Sequence, residues 1–179
     1  MTLDEIKTLG QFVIDRPSDD KNFHVDQAGG LFPPSKYYLF FKLLAEKKKP
    51  HVSVVLGVCG GGDCYHLCLG NPEGKVVGVD IAYDHPEQLR YIETNCPNFR
   101  FWLGDSVESA REIFETYGPI DFLFIDTVHL MENTIDEFTR YKPFLAGDAV
   151  VCLDDLFRPG MEEAWERMPE PNVRMDLLH

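Results

Sequence analysis

The sequence is poor in the features that exported, membrane-spanning and nucleic-acid-binding chains need. No apolar run approaches the roughly 18 residues of a membrane-spanning helix. The opening MTLDEIKTLG has neither the basic start nor the apolar stretch of a secretory signal. Both absences predict a cytoplasmic location. Positive charge is scarce: 17 Lys and Arg against 30 Asp and Glu leave a net charge of −13. That balance argues against the phosphate-neutralising surface behind most nucleic-acid affinity. The one basic run, EKKKP at residues 46–50, reads as the solvated end of a helix. Cysteines are few and odd in number: Cys59, Cys64, Cys68, Cys96 and Cys152. A disulfide framework is therefore not expected. The cluster Cys59, Cys64, His66 and Cys68 matches none of the usual zinc or iron–sulfur spacings, and reads as free cysteines packed on a helix.

What is present is an alternation. The 179 residues, 44% hydrophobic and 26% charged, fit one domain, 1–179, with an N-terminal helix and covering segment over 1–34 and a core over 35–179. Leu3, Ile6, Leu9, Phe12 and Val13 have helical spacing, and a loop rich in Pro, Gly and Asp follows to Ser35. Ser35 is placed to cap the helix SKYYLFFKLLAEKKK. From HVSVVLGV onward, apolar strands alternate with amphipathic helices, down to a helix in GMEEAWERM and a strand-like NVRMDLL. This order predicts an α/β fold: a Rossmann-like three-layer αβα sandwich with a mostly parallel, doubly wound sheet.

In such sheets ligands bind beyond the carboxyl ends of the strands, so the residues that follow each strand carry the information. After the first strand, VVLGVCGGGDC places Gly57, Gly60, Gly61 and Gly62 where backbone N–H groups can approach a ligand at a helix start. A ligand-free tight turn is the plainer alternative. After the second strand comes Asp80, 80 − 57 = 23 residues beyond Gly57. A carboxylate that bonds ribose hydroxyls is expected about 20 residues on. Asp84 is better placed than Asp80 to cap the next helix. After the third strand, Asp105 and Ser106 suit either an adenine amino group or a helix cap. The fourth and fifth strands end in FIDTVH and CLDDL, gathering Asp126, Asp154 and Asp155 at neighbouring strand ends. Three such carboxylates repel one another, and Mg²⁺ or a similar divalent cation would relieve this. His129, three residues past Asp126, is positioned to take a proton from a hydroxyl. Caps, loop charges and a surface histidine are the bland alternatives.

The segments VVLGVCGGGDC, VVGVDI, FRFWLGDS, IDFLFIDTVHLMENTIDEF and FLAGDAVVCLDDL resemble, in order, the class I S-adenosylmethionine-dependent methyltransferases. The likeness is strongest to the metal-dependent O-methyltransferases, the macrolide-sugar O-methyltransferases and the cephalosporin hydroxylase-like proteins. It covers about residues 35–158. It implies S-adenosyl-L-methionine held by Gly57, Val58, Gly60, Gly61, Asp80, Ile81, Asp105 and Ser106, and Mg²⁺ held by Asp126, Asp154 and Asp155. It implies a catalytic role for His129, as general base, and for Asp126, in methyl transfer to a small hydroxylated molecule.

Two features depart from the family pattern. Where the family carries an acid two places before the first glycine, holding the amino-acid end of the cofactor, this sequence has Val55. Where the family adds a last, antiparallel strand, this sequence stops: either it is truncated, or another chain completes the sheet, or the edge stays open, and an open edge would favour the expected homodimer. Phe23, Phe32, Tyr37 and Tyr38 are candidates to stack on an acceptor ring, or to fill the core. A non-catalytic or differently reactive S-adenosylmethionine-binding relative is the alternative function. An NAD-dependent oxidoreductase is less well supported, because Tyr65 stands where the G-x-G-x-x-G fingerprint needs its third glycine.

Overall fold

The computed structural model describes residues 1–17, 30–33, 35–169 and 172–175. Five strands, β1 (Val52–Leu56), β2 (Lys75–Asp80), β3 (Phe99–Leu103), β4 (Ile120–Ile125) and β5 (Leu145–Leu153), form one sheet in the order β3-β2-β1-β4-β5. Every neighbouring pair is parallel. The order reverses at β1, so the crevice beyond β1 and β4 is the topological switch point at which such sheets bind ligands.

The helices are α1 (Leu3–Ile14), α2 (Lys36–Lys48), α3 (Gly62–Gly70), α4 (Pro86–Asn95), α5 (Ser106–Tyr117), α6 (Met131–Tyr141) and α7 (Met161–Glu166). Successive strand side chains point to opposite faces, and each face has its own core. Val55, Val76, Phe122 and Phe124 pack with α1 to α4, through Leu9, Phe40, Leu44, Leu67 and Ile92. Val54, Leu56, Val77, Val79, Leu123 and Ile125 pack on the other side with Ala110, Ile113 and Tyr141 of α5 and α6. The expected αβα sandwich is the structure found, because inner strands that are apolar at every position require helices on both faces.

Local signals hold at most boundaries. Ser35 accepts from the Tyr37 N–H at 3.2 Å. Lys47 and Lys48 lie in the last turn of α2, beside the negative end of its dipole. Asp84 does not cap α4: His85 occupies the N-cap position without a side-chain bond, because Pro86 begins the helix. The strand expected over 172–178 is not formed at 172–175, and its remaining residues lie outside the described set. β5 is thus an edge strand among the described residues, with only Val150 of its nine residues buried. Among them, no helix is long and apolar enough to cross a membrane.

Candidate active site at the strand ends

Sheet hydrogen bonding continues one residue past β1, β3, β4 and β5 and sets chemistry-bearing residues in a row. The Gly57 N–H donates to Val79 O at 2.9 Å, Gly104 N–H to Asp80 O at 2.9 Å, Asp126 N–H to Leu56 O at 2.9 Å and Asp154 N–H to Ile125 O at 3.2 Å. The glycine loop and the β4 end then meet without a gap. Gly57 has φ +83°, and a Cβ there would lie 2.0 Å from the Asp126 carbonyl oxygen. Only glycine satisfies both the conformation and the approach. Gly60, by contrast, faces open space.

Asp80 shapes this loop. Its Oδ2 accepts from the N–H groups of Val58 at 2.8 Å and Cys59 at 3.1 Å, and its Oδ1 from Ala82 N–H at 3.4 Å. Beside it, Ile81 is 75% exposed, and Leu103 at the end of β3 is 66% exposed. Asp105 caps α5, accepting from Val107 N–H at 2.9 Å and Glu108 N–H at 3.1 Å. The Ser106 hydroxyl donates to Glu137 at 2.6 Å. Capping, one of the two roles open for this pair, is therefore realised by Asp105.

At the β4 and β5 ends, His129 Nε2 lies 3.7 Å from Asp126 Oδ1 and 3.4 Å from Asp155 Oδ2. Cys59, His129 and Asp155 all have positive φ, 47°, 51° and 51°, which non-glycine residues rarely adopt. Three such residues around one crevice is the clustering of backbone strain found at functional sites. Asp126 is held well above the ordinary carboxylate range by burial, and then by repulsion from Asp154, Asp63 and Asp155.

Oxygen donors of this kind suit a hard divalent cation. The three aspartates do not, however, converge as a ligand set: Asp155 also pairs with Arg158. Among the described residues, no group of three His, Cys, Asp or Glu is arranged to hold a metal ion. The cysteine–histidine cluster likewise forms none. Cys64, Cys68 and His66 are buried in α3, and Cys59 is exposed.

Two residues escaped the sequence reading. Glu137 is 2% exposed and accepts from Ser106 and from the Thr127 hydroxyl at 3.0 Å, tying α6 to the loops after β3 and β4. Its signal was an acid on the buried face of α6, in register with Thr134 and Tyr141. Asp63, in the first turn of α3, is 5% exposed. Burial raises its carboxyl to about 7. Of the four aromatic candidates, Phe32 is buried and stacked on Tyr65 at 4.9 Å, and Tyr37 is buried against Phe41 and Phe124. Tyr38 stacks on His66 at 4.8 Å over the glycine loop. Phe23 lies outside the described residues.

A parallel doubly wound sheet, a glycine loop at its switch point and an acid closing the next strand define a cofactor-binding α/β domain. The methyltransferase domain family matches residues 54–156, more than half of the chain, and the chain belongs to that family. No curated protein matches the sequence. Among solved structures, the O-methyltransferase of Bacillus cereus in complex with SAH is similar at TM-score 0.62 and 20% identity, over 93% of this chain and 79% of that one. A methyltransferase of Geobacter sulfurreducens is similar at TM-score 0.63 and 21% identity, over 90% and 85%. CalS11, a TDP-rhamnose 3′-O-methyltransferase of calicheamicin biosynthesis, is similar at 0.60 and 18%, over 92% and 83%. At these identities the likeness establishes the class I methyltransferase fold.

Proposed function

We propose that this protein transfers the methyl group of S-adenosylmethionine to a hydroxyl oxygen of a small molecule. The observation that carries the reading is His129, its Nε2 set between Asp126 and Asp155, in the segment after β4 whose Asp126 and Thr127 meet Gly57. Two similar structures are named as O-methyltransferases.

S-adenosylmethionine supplies an electrophilic sulfonium methyl, whose C–S electron pair leaves with sulfur as the acceptor oxygen bonds to carbon. Gly57, Gly60 and Gly61 would offer unsubstituted backbone to the cofactor, with Val58 at the turn. Asp80 would hold the ribose, and Ile81, Asp105 and Ser106 would border the adenine. The His129 imidazole takes the hydroxyl proton, and Asp126 and Asp155, beside its Nε2, orient the ring and stabilise its charged form. Exposed Val128, Leu130 and Phe157 form an apolar rim on the acceptor side. Asp126, Asp154 and Asp155 are the residues that would hold Mg²⁺, which would lower the acceptor hydroxyl's pKa. Donor chemistry supports that ion. The engagement of Asp155 by Arg158 stands against a preformed site.

Calorimetric titration with S-adenosylmethionine, with and without Mg²⁺ and with NAD as control, tests the reading. Binding of S-adenosylmethionine that is lost in Asp80→Ala is expected. Absence of binding under both conditions overturns the reading. Turnover of hydroxylated acceptors that is unchanged by a chelator removes the metal from it. The second reading, a cofactor-binding relative without methyl transfer, is favoured by Val55, which is fully buried where the family pattern has an acid. Cofactor binding with no turnover on any acceptor would select it.

A further inference from the structure

The glycine loop carries a buried acid that the proposed reaction leaves without work. Asp63 is the second residue of α3, 5% exposed, yet it is an acid rather than a core residue. Its Oδ1 accepts from the Cys64 N–H at 2.8 Å, and the Cys64 thiol also bonds to it. Among the described residues, no Lys, Arg or His forms an ion pair with it. A buried carboxylate without a cation is costly, and such groups are ordinarily paired.

The carboxyl lies within electrostatic reach of the groups at the crevice. Its charge is felt by Tyr38, Tyr37 and Asp126, and it feels Asp154 in turn. Tyr37 and Tyr38 lie on α2, and Asp126 and Asp154 directly follow β4 and β5, so Asp63 is near the join of the glycine loop and the two strand ends. Tyr38 closes the near side: a Cβ on Gly62 would lie 2.3 Å from its ring. Gly60, three residues before Asp63, has open space beside it. Burial already pushes the Asp63 carboxyl up to about 7. A monovalent cation brought in by a ligand would neutralise it and ease the repulsion on Asp126.

The proposed cofactor carries such a cation, the α-ammonium of its methionine end. Val55, where the family pattern would supply an acid for that group, is 0% exposed and wholly within the apolar core, so it offers nothing to it. We infer that Asp63 holds the α-ammonium of S-adenosylmethionine, moving this contact from the end of β1 to the first turn of α3. The inference rests on the methyltransferase reading above.

Calorimetric titration of the whole protein and of Asp63→Asn tests it, with three probes. These are S-adenosylhomocysteine, its desamino analogue, and 5′-methylthioadenosine, which has no amino-acid end. The wild type is expected to bind S-adenosylhomocysteine at least ~10-fold more tightly than the desamino analogue, the scale of a buried charge-assisted bond. Asp63→Asn, and Asp63→Ser as a second neutral variant, should bring the two affinities together. Both should bind 5′-methylthioadenosine as the wild type does. A preference for the amino group that survives in either variant overturns the assignment, as does a wild type without that preference. A wild type that binds none of the three probes overturns the methyltransferase reading itself, which separates the two failures.

Discussion

Gly57 shows how little freedom single positions have at this site. Its φ of +83° and the Asp126 carbonyl 2.0 Å from a would-be Cβ act together. Gly57→Ala is expected to destabilise the fold by more than about 2 kcal/mol in urea unfolding, since backbone must shift at the join of β1 and β4. His129 is different, because it is a partly exposed side chain whose loss leaves the packing intact. Under the proposed function, His129→Gln should lower kcat by ~10²–10⁴ with cofactor affinity unchanged, in steady-state assays paired with titration. Asp63 and Asp126 set the pH dependence of stability. Both carboxyls are raised in the folded state, Asp63 to about 7 and Asp126 by burial and then by repulsion. The folded protein thus binds protons more tightly than the unfolded chain. The resulting stability is fully present below the ordinary carboxylate range near pH 4 and is lost as pH rises through 7 and beyond. The unliganded protein should unfold at lower urea concentration at pH 8.5 than at pH 5.5. Asp63→Asn should flatten that slope.

At the scale of elements, the site is an alignment of loops, and Glu137 is the tie between two of them. One carboxyl on α6 accepts from Ser106, at the start of α5, and from Thr127, just beyond β4. Removing it leaves two half-buried hydroxyls without their acceptor. Glu137→Ala is therefore expected to cost about 2 kcal/mol or more in chemical denaturation, with Glu137→Gln restoring part of it. α5 and α6 both feed the core behind Leu56 and Ile125, so the same change should loosen the loop that carries His129. Faster hydrogen exchange at residues 126–130 would show it.

At the scale of the whole molecule, the sheet has edge strands β3 and β5 among the described residues. Helices cover both faces, while β5 leaves an edge of the sheet unpaired among the described residues. A groove of about 1180 Å³ runs beside it, lined by Phe40, Phe124, Val151 and Leu153 of the sheet and its helices, and by Met175. An uncovered edge with an apolar flank favours association. The homodimer expected from the sequence would place its contact here. Sedimentation equilibrium should then give twice the chain mass of 20.5 kDa, and Val151→Lys should return the mass to that of one chain. A monomer at micromolar concentration would remove the dimer from the description.

The sequence by itself determined the layers and the row of strand ends. Strands apolar at every position require cover on both faces, and a glycine run after the first of them marks the turn into α3. That made β1 to β5, Asp80, Asp126, His129 and Asp154 legible in order, since backbone periodicity is a local property. It also carried the family. What each polar residue touches was left to the tertiary structure. Asp105 and Ser106, adjacent in sequence, part company: one caps α5 and the other bonds an acid 31 residues on. Pro86 took the start of α4 from Asp84, and Arg158 engaged Asp155, while the aspartates read as a metal cage came together without forming one. Asp63 reads as an ordinary first-turn acid of a helix, favourable beside the dipole. Only the packing of Tyr38 over the loop and the approach of the β4 and β5 ends make it a buried acid within electrostatic reach of Asp126 and Asp154. Spacing along a chain fixes which face a residue is on. Burial and charge pairing depend on segments that meet only when the chain has folded.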